Sequence, residues 1–119
     1  MDEGLYAWVQ EALEPLGAVT MRNMMGGATL YLDGIVFAIL DEGEIWFKAD
    51  AETDAIWDVE GCERFSMTFK DGRVDTMNYR RAPSDVYDEP EAMQRWAKLA
   101  VDAGLRGAAK KKPRKKPSC

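Results

Sequence analysis

The alternation of apolar and polar residues is clearest between residues 24 and 50, where it predicts three short strands. In the first of these, Ala28, Leu30 and Leu32 alternate with more polar neighbours. A period of two is expected for a strand that buries only one face. The Asp-Gly dipeptide that follows favours a two-residue hairpin turn, because it supplies the positive φ that both turn positions need. The pattern therefore predicts an antiparallel meander.

The second strand, residues 35–40, is apolar at every position. Such a strand needs cover on both faces, as a central strand or a strand at a subunit interface has. A single layer of helices covers only one face of a sheet. We therefore expect a homodimer in which Val36, Ala38 and Leu40 lie at the interface.

The third strand alternates in the same way as the first, with Ile45, Phe47 and Ala49 on one face. Trp46 and Lys48 lie on the other face. A lysine flanked by apolar strand positions has two interpretations. It is an edge residue that extends its ammonium group to water, or it is a contact for an anion or a phosphate group. The sequence leaves both interpretations open.

Three amphipathic segments predict helices around these strands. The first covers residues 3–14, where apolar residues recur at i, i+3, i+4 and i+7. The second covers residues 50–60 and is predicted to bury Ala55, Ile56 and Val59. The third is predicted from a capping box at Asp88 and ends near residue 107. The aromatic residues expected in the layer between helices and sheet are Trp8, Phe37, Phe47 and Trp96.

Two further strands complete the pattern, one over residues 65–69 and its partner over residues 73–79. Residues 18–25 are expected to be extended, and the Gly26-Gly27 pair to allow a bulge or a close backbone approach. The element order is then helix, three strands, helix, two strands, helix. It predicts a two-layer α+β fold with an antiparallel sheet. The elements follow one another along the chain in the order α-β(3)-α-β(2)-α.

Charge is distributed unevenly along the chain. Its 119 residues include 16 Lys or Arg and 21 Asp or Glu, a net charge of −5. The segment 110–116, KKKPRKK, contains six of the basic residues and no acidic one. The rest of the chain therefore has 10 basic residues against 21 acidic ones, a charge of −11. We predict one folded domain over residues 1–107 and a basic, disordered tail over residues 108–119.

The basic tail is the strongest chemical signal in the sequence. Clustered cations attract nucleic-acid phosphate through counterion release, but without interleaved aromatic residues they do not discriminate sequence. A solubilising end without a binding role is the alternative. A second basic spot lies in a predicted loop after Tyr79. The candidate nucleic-acid contacts are Lys110, Lys111, Lys112, Arg114, Lys115, Lys116, Arg80 and Arg81.

Residues for catalysis or metal binding are scarce. The chain has no histidine, which excludes Ser-His and Cys-His nucleophile pairs and histidine-containing metal sites. Cys62 and Cys119 are too few for a thiolate zinc site or a disulfide framework. We expect no catalytic residue, no metal and no cofactor. No window approaches the run of about 18 apolar residues that a transmembrane helix needs, and no signal-peptide pattern is present, so a cytoplasmic protein without a membrane partner is expected.

Four stretches of the chain resemble the N-terminal domain of the TfoX/Sxy family, namely MMGGATLYLDGIVFAIL, IWFKAD, MNYRRAP and DEPEAMQRWAKLAVDAGLR. Their most specific parts are the Met-x-Gly-Gly and Tyr-Leu-Asp-Gly patterns, the Phe-Lys-Ala-Asp around Lys48, and the Trp-Ala pair at Trp96. The resemblance spans residues 13–106. It implies a two-layer α+β fold of the order already given, and the family supplies no established catalytic residue.

The resemblance also implies a function, since members of this family are bacterial regulators of competence genes. Full-length members carry a C-terminal helical domain where this chain has its basic tail. The leading hypothesis is a non-enzymatic regulatory protein that acts on transcription through protein–protein contacts, with weak DNA binding by the tail. The alternative is a direct inhibitor or modulator of a DNA-acting enzyme such as a topoisomerase or nuclease, whose basic groove the acidic body would occupy. Either way, the partner is expected in the transcription or DNA-topology machinery.

Overall fold

Helices lie on one face of a six-stranded antiparallel sheet, which confirms the predicted two-layer α+β class. The computed structural model describes residues 3–24 and 27–115. The sheet order is β1-β2-β3-β4-β6-β5. The elements are α1 Glu3–Leu13, β1 Val19–Met24, β2 Gly27–Leu32, β3 Ile35–Asp41, β4 Glu44–Lys48, α2 Asp54–Val59, β5 Arg64–Thr68, β6 Val74–Arg81, a 3-10 helix Ser84–Tyr87, and α3 Pro90–Lys115.

The segment expected to be extended before the meander forms a strand of its own. Strand β1 pairs antiparallel with β2 at the edge of the sheet, so four strands precede α2 where the sequence predicted three. The close backbone approach predicted for the glycine pair is found at Gly27, where a Cβ would overlap the carbonyl oxygen of Leu40. Its neighbour Gly26 lies outside the described residues.

The first turn of the meander has the predicted conformation, and the second turn has positive φ at both central residues as well. Asp33 and Gly34 take φ values of 49° and 85°, and Glu42 and Gly43 take 51° and 78°. Positive φ at both central residues matches the right-handed twist of the flanking strands. These two tight turns place strands β2, β3 and β4 side by side.

A β-bulge in strand β3 explains its uninterrupted apolar run. Leu30 of β2 lies opposite Ala38, but the next residue of β2 lies opposite Val36, so Phe37 is an extra residue. Phe37 and Ala38 both belong to the core under the helices, and both are fully buried. The apolar run, residues 35–40, therefore sends four residues towards the helices, Ile35, Phe37, Ala38 and Leu40, and two, Val36 and Ile39, to the opposite face.

Most of the predicted aromatic core is confirmed. Phe37, Phe47 and Trp96 are at most 3% exposed and lie in the main hydrophobic cluster between the helices and the sheet. Trp8 of α1 is only half-buried at the margin of this cluster, where its Nε1 donates a hydrogen bond to the carbonyl oxygen of Val86, 2.9 Å away. The margin position suits an indole, which combines an apolar body with a polar edge.

The predicted buried face of α2 is wrong. Ile56 is 42% exposed, Val59 is 85% exposed, and Ala55 is exposed as well. The helix instead buries Trp57, whose ring stacks on Phe47 with centroids 5.7 Å apart. The larger indole ring takes the core position, and the apolar stripe read from the sequence points to solvent.

Helix α3 buries an apolar stripe and continues further than the predicted end near residue 107. Its large side chains Met93 and Trp96 and its small residues Ala97, Ala100 and Ala103 are all buried. The helix extends past Gly107 to Lys115, and the division of the chain at residue 107 stays a prediction. Within the described part of the chain, no helix is both long enough and apolar enough to cross a membrane.

Candidate functional site

The face of the sheet opposite the helices carries a second apolar cluster, which we call the open face. It consists of Ile39, Trp46, Phe65 and Tyr79, contributed by four different strands and each 2–8% exposed. Strand register brings them together, since Trp46 lies directly opposite Ile39, and directly opposed residues share a face of a sheet. None of the described helices contributes to this cluster.

The aromatic rings of the open face are in direct contact. Trp46 and Phe65 meet edge to face with centroids 5.0 Å apart, a favoured arrangement for aromatic pairs. Burial raises the pKa of the Tyr79 hydroxyl, so this side chain is uncharged at neutral pH. The cluster is therefore a neutral aromatic layer, and it includes the buried indole N–H of Trp46.

Two cations cover these rings. The guanidinium carbon of Arg81 lies 5.0 Å from the ring centroid of Trp46, and the ammonium group of Lys48 lies 5.2 Å from that of Tyr79. Both distances are within the range of cation–π attraction. Arg81 also forms ion pairs of 3.1 Å with Glu44 and 3.2 Å with Glu63, and it remains 44% exposed. Lys48 is thus part of this face, and the sequence-based alternative of an anion contact stays a prediction.

Arg80 lies in strand β6 and points away from the open face. It is 3% exposed and forms ion pairs with Asp54 at 3.2 Å and Asp58 at 2.9 Å. It also donates a hydrogen bond to the carbonyl oxygen of Cys62. A guanidinium enclosed in this way is not accessible to a phosphate group. Of the adjacent pair Arg80 and Arg81, both predicted to contact DNA, only Arg81 is available at the surface.

The six tail residues predicted to bind DNA follow the folded body. The backbone from residue 110 to residue 115 continues helix α3, which includes Lys110, Lys111, Lys112, Arg114 and Lys115. Lys116 lies outside the described residues. DNA binding by this segment stays a prediction.

The three residues predicted at a dimer interface do not form one surface. Ala38 and Leu40 lie in the core beneath the helices, at 0% and 3% exposure, whereas Val36 lies half-buried on the opposite side of the sheet. The bulge at Phe37 separates them, because it shifts the alternation of strand β3 by one residue. The homodimer itself stays a prediction, and a second copy would have to use other residues.

A cleft of about 530 Å³ lies beside the open face, between the Glu42-Gly43 turn, the end of α2 and the 3-10 helix. Its chemistry does not include an activated nucleophile. Burial, helped by the nearby carboxylate of Glu60, raises the pKa of the Cys62 thiol, and burial raises the pKa of Tyr87. The Tyr87 hydroxyl oxygen accepts a hydrogen bond of 2.8 Å from the backbone N–H of Ile45. Within the described residues, no three metal-ligating side chains lie close enough to share an ion.

The sequence contained a signal for the open face that our reasoning did not use. Trp46, Phe65 and Tyr79 each occupy the face of their strand opposite the core-directed residues. One aromatic residue on the outer face of a strand is unremarkable. The same feature in three neighbouring strands indicates a second apolar surface, but strand adjacency was needed to see it.

Residues 11–104 match the family model described as the TfoX N-terminal domain. Two curated proteins are similar to this chain. Protein Sxy of Escherichia coli K12 is 31% identical over 97 residues, which cover 82% of this chain and 46% of that protein. DNA transformation protein TfoX1 of Aliivibrio fischeri is 31% identical over 67 residues, which cover 56% of this chain and 32% of that protein. The chain thus spans less than half the length of the curated relatives it matches.

Proposed function

Because the chain belongs to the TfoX N-terminal domain family, we propose that it is a non-enzymatic bacterial regulatory protein. It acts in the cytoplasm on transcription, through contact with a protein of the transcription machinery. The name of one relative refers to DNA transformation, and the family resemblance points to competence genes as the regulated set.

The open face is the observation that carries this proposal. Two of its members, Trp46 and Tyr79, and the Arg81 that lies over Trp46 belong to the three residue types enriched among residues that dominate binding energy at protein interfaces. The rings are held in place by their neighbours in the sheet and form a rigid base for the 44% exposed Arg81, so a partner that contacts this side chain meets an ordered surface. Met77, 39% exposed and directly opposite Phe65, extends the apolar surface towards its edge.

A non-enzymatic role agrees with the chemistry of the chain. It has no histidine, and the thiol and hydroxyl that line the cleft have raised pKa values. Catalytic nucleophiles usually have the opposite property, a lowered pKa or an adjacent general base. Regulation through contact requires no such group.

A cellular assay with a matched control tests the proposal. Bacteria that lack this chain receive back the parent, a variant of the open face (Met77→Glu with Arg81→Gln), or a control (Leu105→Glu), and their transcripts are compared. Leu105 is 47% exposed on α3, so the control introduces one glutamate in place of an exposed apolar residue, as Met77→Glu does, but elsewhere on the surface. We expect the parent and the control, but not the open-face variant, to restore competence-gene transcripts and to retain RNA polymerase or its activator on an affinity column. Identical transcripts with and without the chain would refute the proposal.

A second candidate function follows from the charge of the body. Outside residues 110–116 the chain has 10 basic residues against 21 acidic ones, and an acidic surface is complementary to a DNA-binding groove. The chain would then inhibit a topoisomerase or a nuclease directly. Inhibition of plasmid relaxation or of DNA digestion by the purified chain, in the absence of transcription, would favour this alternative.

Two further parts of the proposal concern assembly and the basic segment. We propose that the chain forms a homodimer, which light scattering at micromolar concentration would detect as twice the chain mass.

We also propose that residues 110–116 add weak DNA affinity without sequence preference, because phosphate contacts position a protein but do not specify a sequence. A protein that contacts both a regulator and nearby DNA gains from such an affinity, since the two contacts reinforce each other.

A further inference from the structure

Helix α2 presents an apolar stripe to solvent. Ala55, Ile56 and Val59 are all exposed, and Val59 is exposed to 85%. Residues three and four positions apart are neighbours on a helix surface, so the three side chains form one continuous patch, which we call the α2 patch. Single exposed apolar residues are common, but the whole apolar stripe of a helix is usually buried.

Contacts on the inner side of the helix hold this stripe outward. Trp57 is fully buried between Phe47 and Trp96, with ring centroids 5.7 Å and 5.0 Å away. Asp54 and Asp58 both form ion pairs with the buried Arg80. At about 100° per residue, these three inner positions lie on one side of the helix and the α2 patch lies on the other. The rotation of α2 is therefore fixed by specific contacts.

The α2 patch is surrounded by carboxylates. Residues 50–63 include six acidic side chains and no lysine or arginine. Four arginines, Arg64, Arg80, Arg81 and Arg106, approach this segment from other elements and pair with five of its six carboxylates, which leaves the segment with a net acidic charge. The side chains of Glu52 and Asp58 nevertheless remain 69% and 68% exposed, and Glu60, next to Val59, is exposed. The surroundings of the patch are acidic.

From this combination we infer that the α2 patch is a docking site for a basic, amphipathic segment of another protein. The apolar side chains of that segment cover Ile56 and Val59, while its lysines or arginines lie against the surrounding carboxylates. Charge complementarity selects this occupant, because an acidic segment or a nucleic acid is repelled by the same carboxylates. The α2 patch is separate from the open face, so it gives the chain a second contact surface beyond the one used in the proposed function.

A binding assay on the full chain tests this inference with a defined probe. The probe is a fluorescent peptide of leucine and lysine at helical spacing, and its binding is followed by fluorescence anisotropy. Two control peptides replace every lysine by glutamate or every leucine by serine. The test variant of the protein is Ile56→Ser with Val59→Ser. The control variant is Val74→Ser, since Val74 is 61% exposed on the β5–β6 hairpin.

We expect the parent and Val74→Ser to bind the leucine–lysine peptide equally, and both control peptides to bind far more weakly. Loss of two apolar contacts in the double variant should weaken binding about tenfold or more, and Glu60→Gln should reduce the dependence on salt. Equal melting temperatures of parent and variants would show that the fold is unchanged, as expected for exposed side chains.

Three results would overturn the inference. They are failure of the parent to bind the peptide, binding of the double variant as tightly as the parent, and equal binding of the leucine–glutamate peptide. A parent dimer that dissociates in the double variant would identify a second copy as the occupant instead. The peptide assay needs no gene regulation, and the transcript assay does not involve α2, so the two proposals fail independently.

Discussion

The guanidinium of Arg80 lies 3.2 Å from the carboxylate of Asp54, and this contact joins the sheet to the helix above it. Asp58, one turn further along α2, binds the same guanidinium at 2.9 Å. The arginine is 3% exposed, whereas the two carboxylates keep 27% and 68% of their side-chain exposure. The buried member of the network is therefore the cation. Removing the arginine and removing the two carboxylates should consequently lower the free energy of unfolding by different amounts.

We predict that removing the carboxylates destabilises the protein more than removing the arginine. Asp54→Ala with Asp58→Ala leaves a buried, unpaired charge and should lower the free energy of unfolding by about 3–5 kcal/mol. Arg80→Met keeps much of the volume and leaves two carboxylates that water can reach, so its cost should be smaller. Urea denaturation of the three proteins measures the difference. An Arg80→Met variant less stable than the double variant would contradict the prediction.

Truncation of Trp96 tests the contact between α3 and α2. Its ring lies 5.0 Å from that of Trp57, and it is 3% exposed. We expect Trp96→Ala to lower the free energy of unfolding by about 3–5 kcal/mol, as other large-to-small core changes do. Leu105→Ala, on the exposed side of the same helix, should change it by about 0.5 kcal/mol or less. Similar melting temperatures for both variants would mean that α3 does not dock as described.

Two glycines of α3 should respond oppositely to alanine. A Cβ at Gly104 would overlap the carbonyl oxygen of Val36, whereas a Cβ at Gly107 would meet nothing closer than Lys48 Cε at 3.9 Å. Gly104→Ala should therefore destabilise the protein by about 1–3 kcal/mol through overpacking. Gly107→Ala should stabilise it by up to about 1 kcal/mol, since alanine is the better helix former. Thermal unfolding of both variants measures the two changes, and a Gly104→Ala variant at least as stable as the parent would refute the close helix–sheet approach at Gly104.

The ion pair between Asp50 and Arg106 should make stability depend on pH. The Asp50 carboxylate accepts hydrogen bonds of 2.6 and 3.0 Å from this guanidinium, which lowers the pKa of Asp50. A carboxyl whose pKa is lower in the folded state stabilises the fold fully above its unfolded pKa of about 3.9. The stabilisation is lost as the pH falls through the lower, folded pKa.

The measurement compares the parent with Asp50→Asn at several pH values. At pH 7 the partly exposed pair should contribute about 1 kcal/mol. The difference in free energy of unfolding should shrink as the pH falls below about 4, where the aspartate of the unfolded chain is already protonated. Arg106→Gln should show the same trend. If the parent and Asp50→Asn differed in free energy of unfolding by the same amount from neutral to acidic pH, the ion pair would not be the source of the pH dependence.

DNA binding should depend on the basic segment and on salt. A chain that ends at Ala109 loses all six clustered cations, and we expect it to lose its affinity for duplex DNA while keeping its melting temperature. Six phosphate contacts would give a log–log salt slope approaching about −5, and repulsion by the acidic body should keep it smaller. Titrations onto two unrelated duplexes measure this. Unchanged binding by the shortened chain would move recognition to the body, where Arg81 and Lys48 are exposed enough to be tested next.

Local sequence patterns predicted the helices and strands well, but they predicted less well which residues these elements contact in the fold. The alternation of Ala28, Leu30 and Leu32 and the turn residues Asp33 and Gly34 depend on neighbours in the chain, and both predictions are confirmed. The orientation of α2 depends on Trp57 reaching Trp96 and on two aspartates reaching Arg80. Such contacts between distant residues cannot be read from a helical period, which is why the apolar stripe of α2 was placed on the wrong side.

The candidate site was predictable to a similar degree. Lys48 was selected as a lysine between apolar strand positions and Arg81 as part of a basic pair with Arg80, and the structure places both over aromatic rings of the open face. The cluster formed by the aromatic rings was missed because it depends on which strands are neighbours. In the sheet β4 lies next to β6, and β6 lies next to β5. That order is a property of the tertiary fold. The family match then placed the chain beside a relative whose name refers to DNA transformation, a process that no single residue indicates.

The bulge at Phe37 also determines where strand β3 can change in length. A residue inserted or deleted elsewhere in the strand would turn every side chain beyond it to the other face. Phe37 is already the extra residue, so its loss would leave the pairs Leu30 with Ala38 and Tyr31 with Val36 facing as they do now. The vacated volume would need another side chain to fill it, because Phe37 is fully buried. In an alignment of relatives, a one-residue gap in this strand therefore belongs at Phe37.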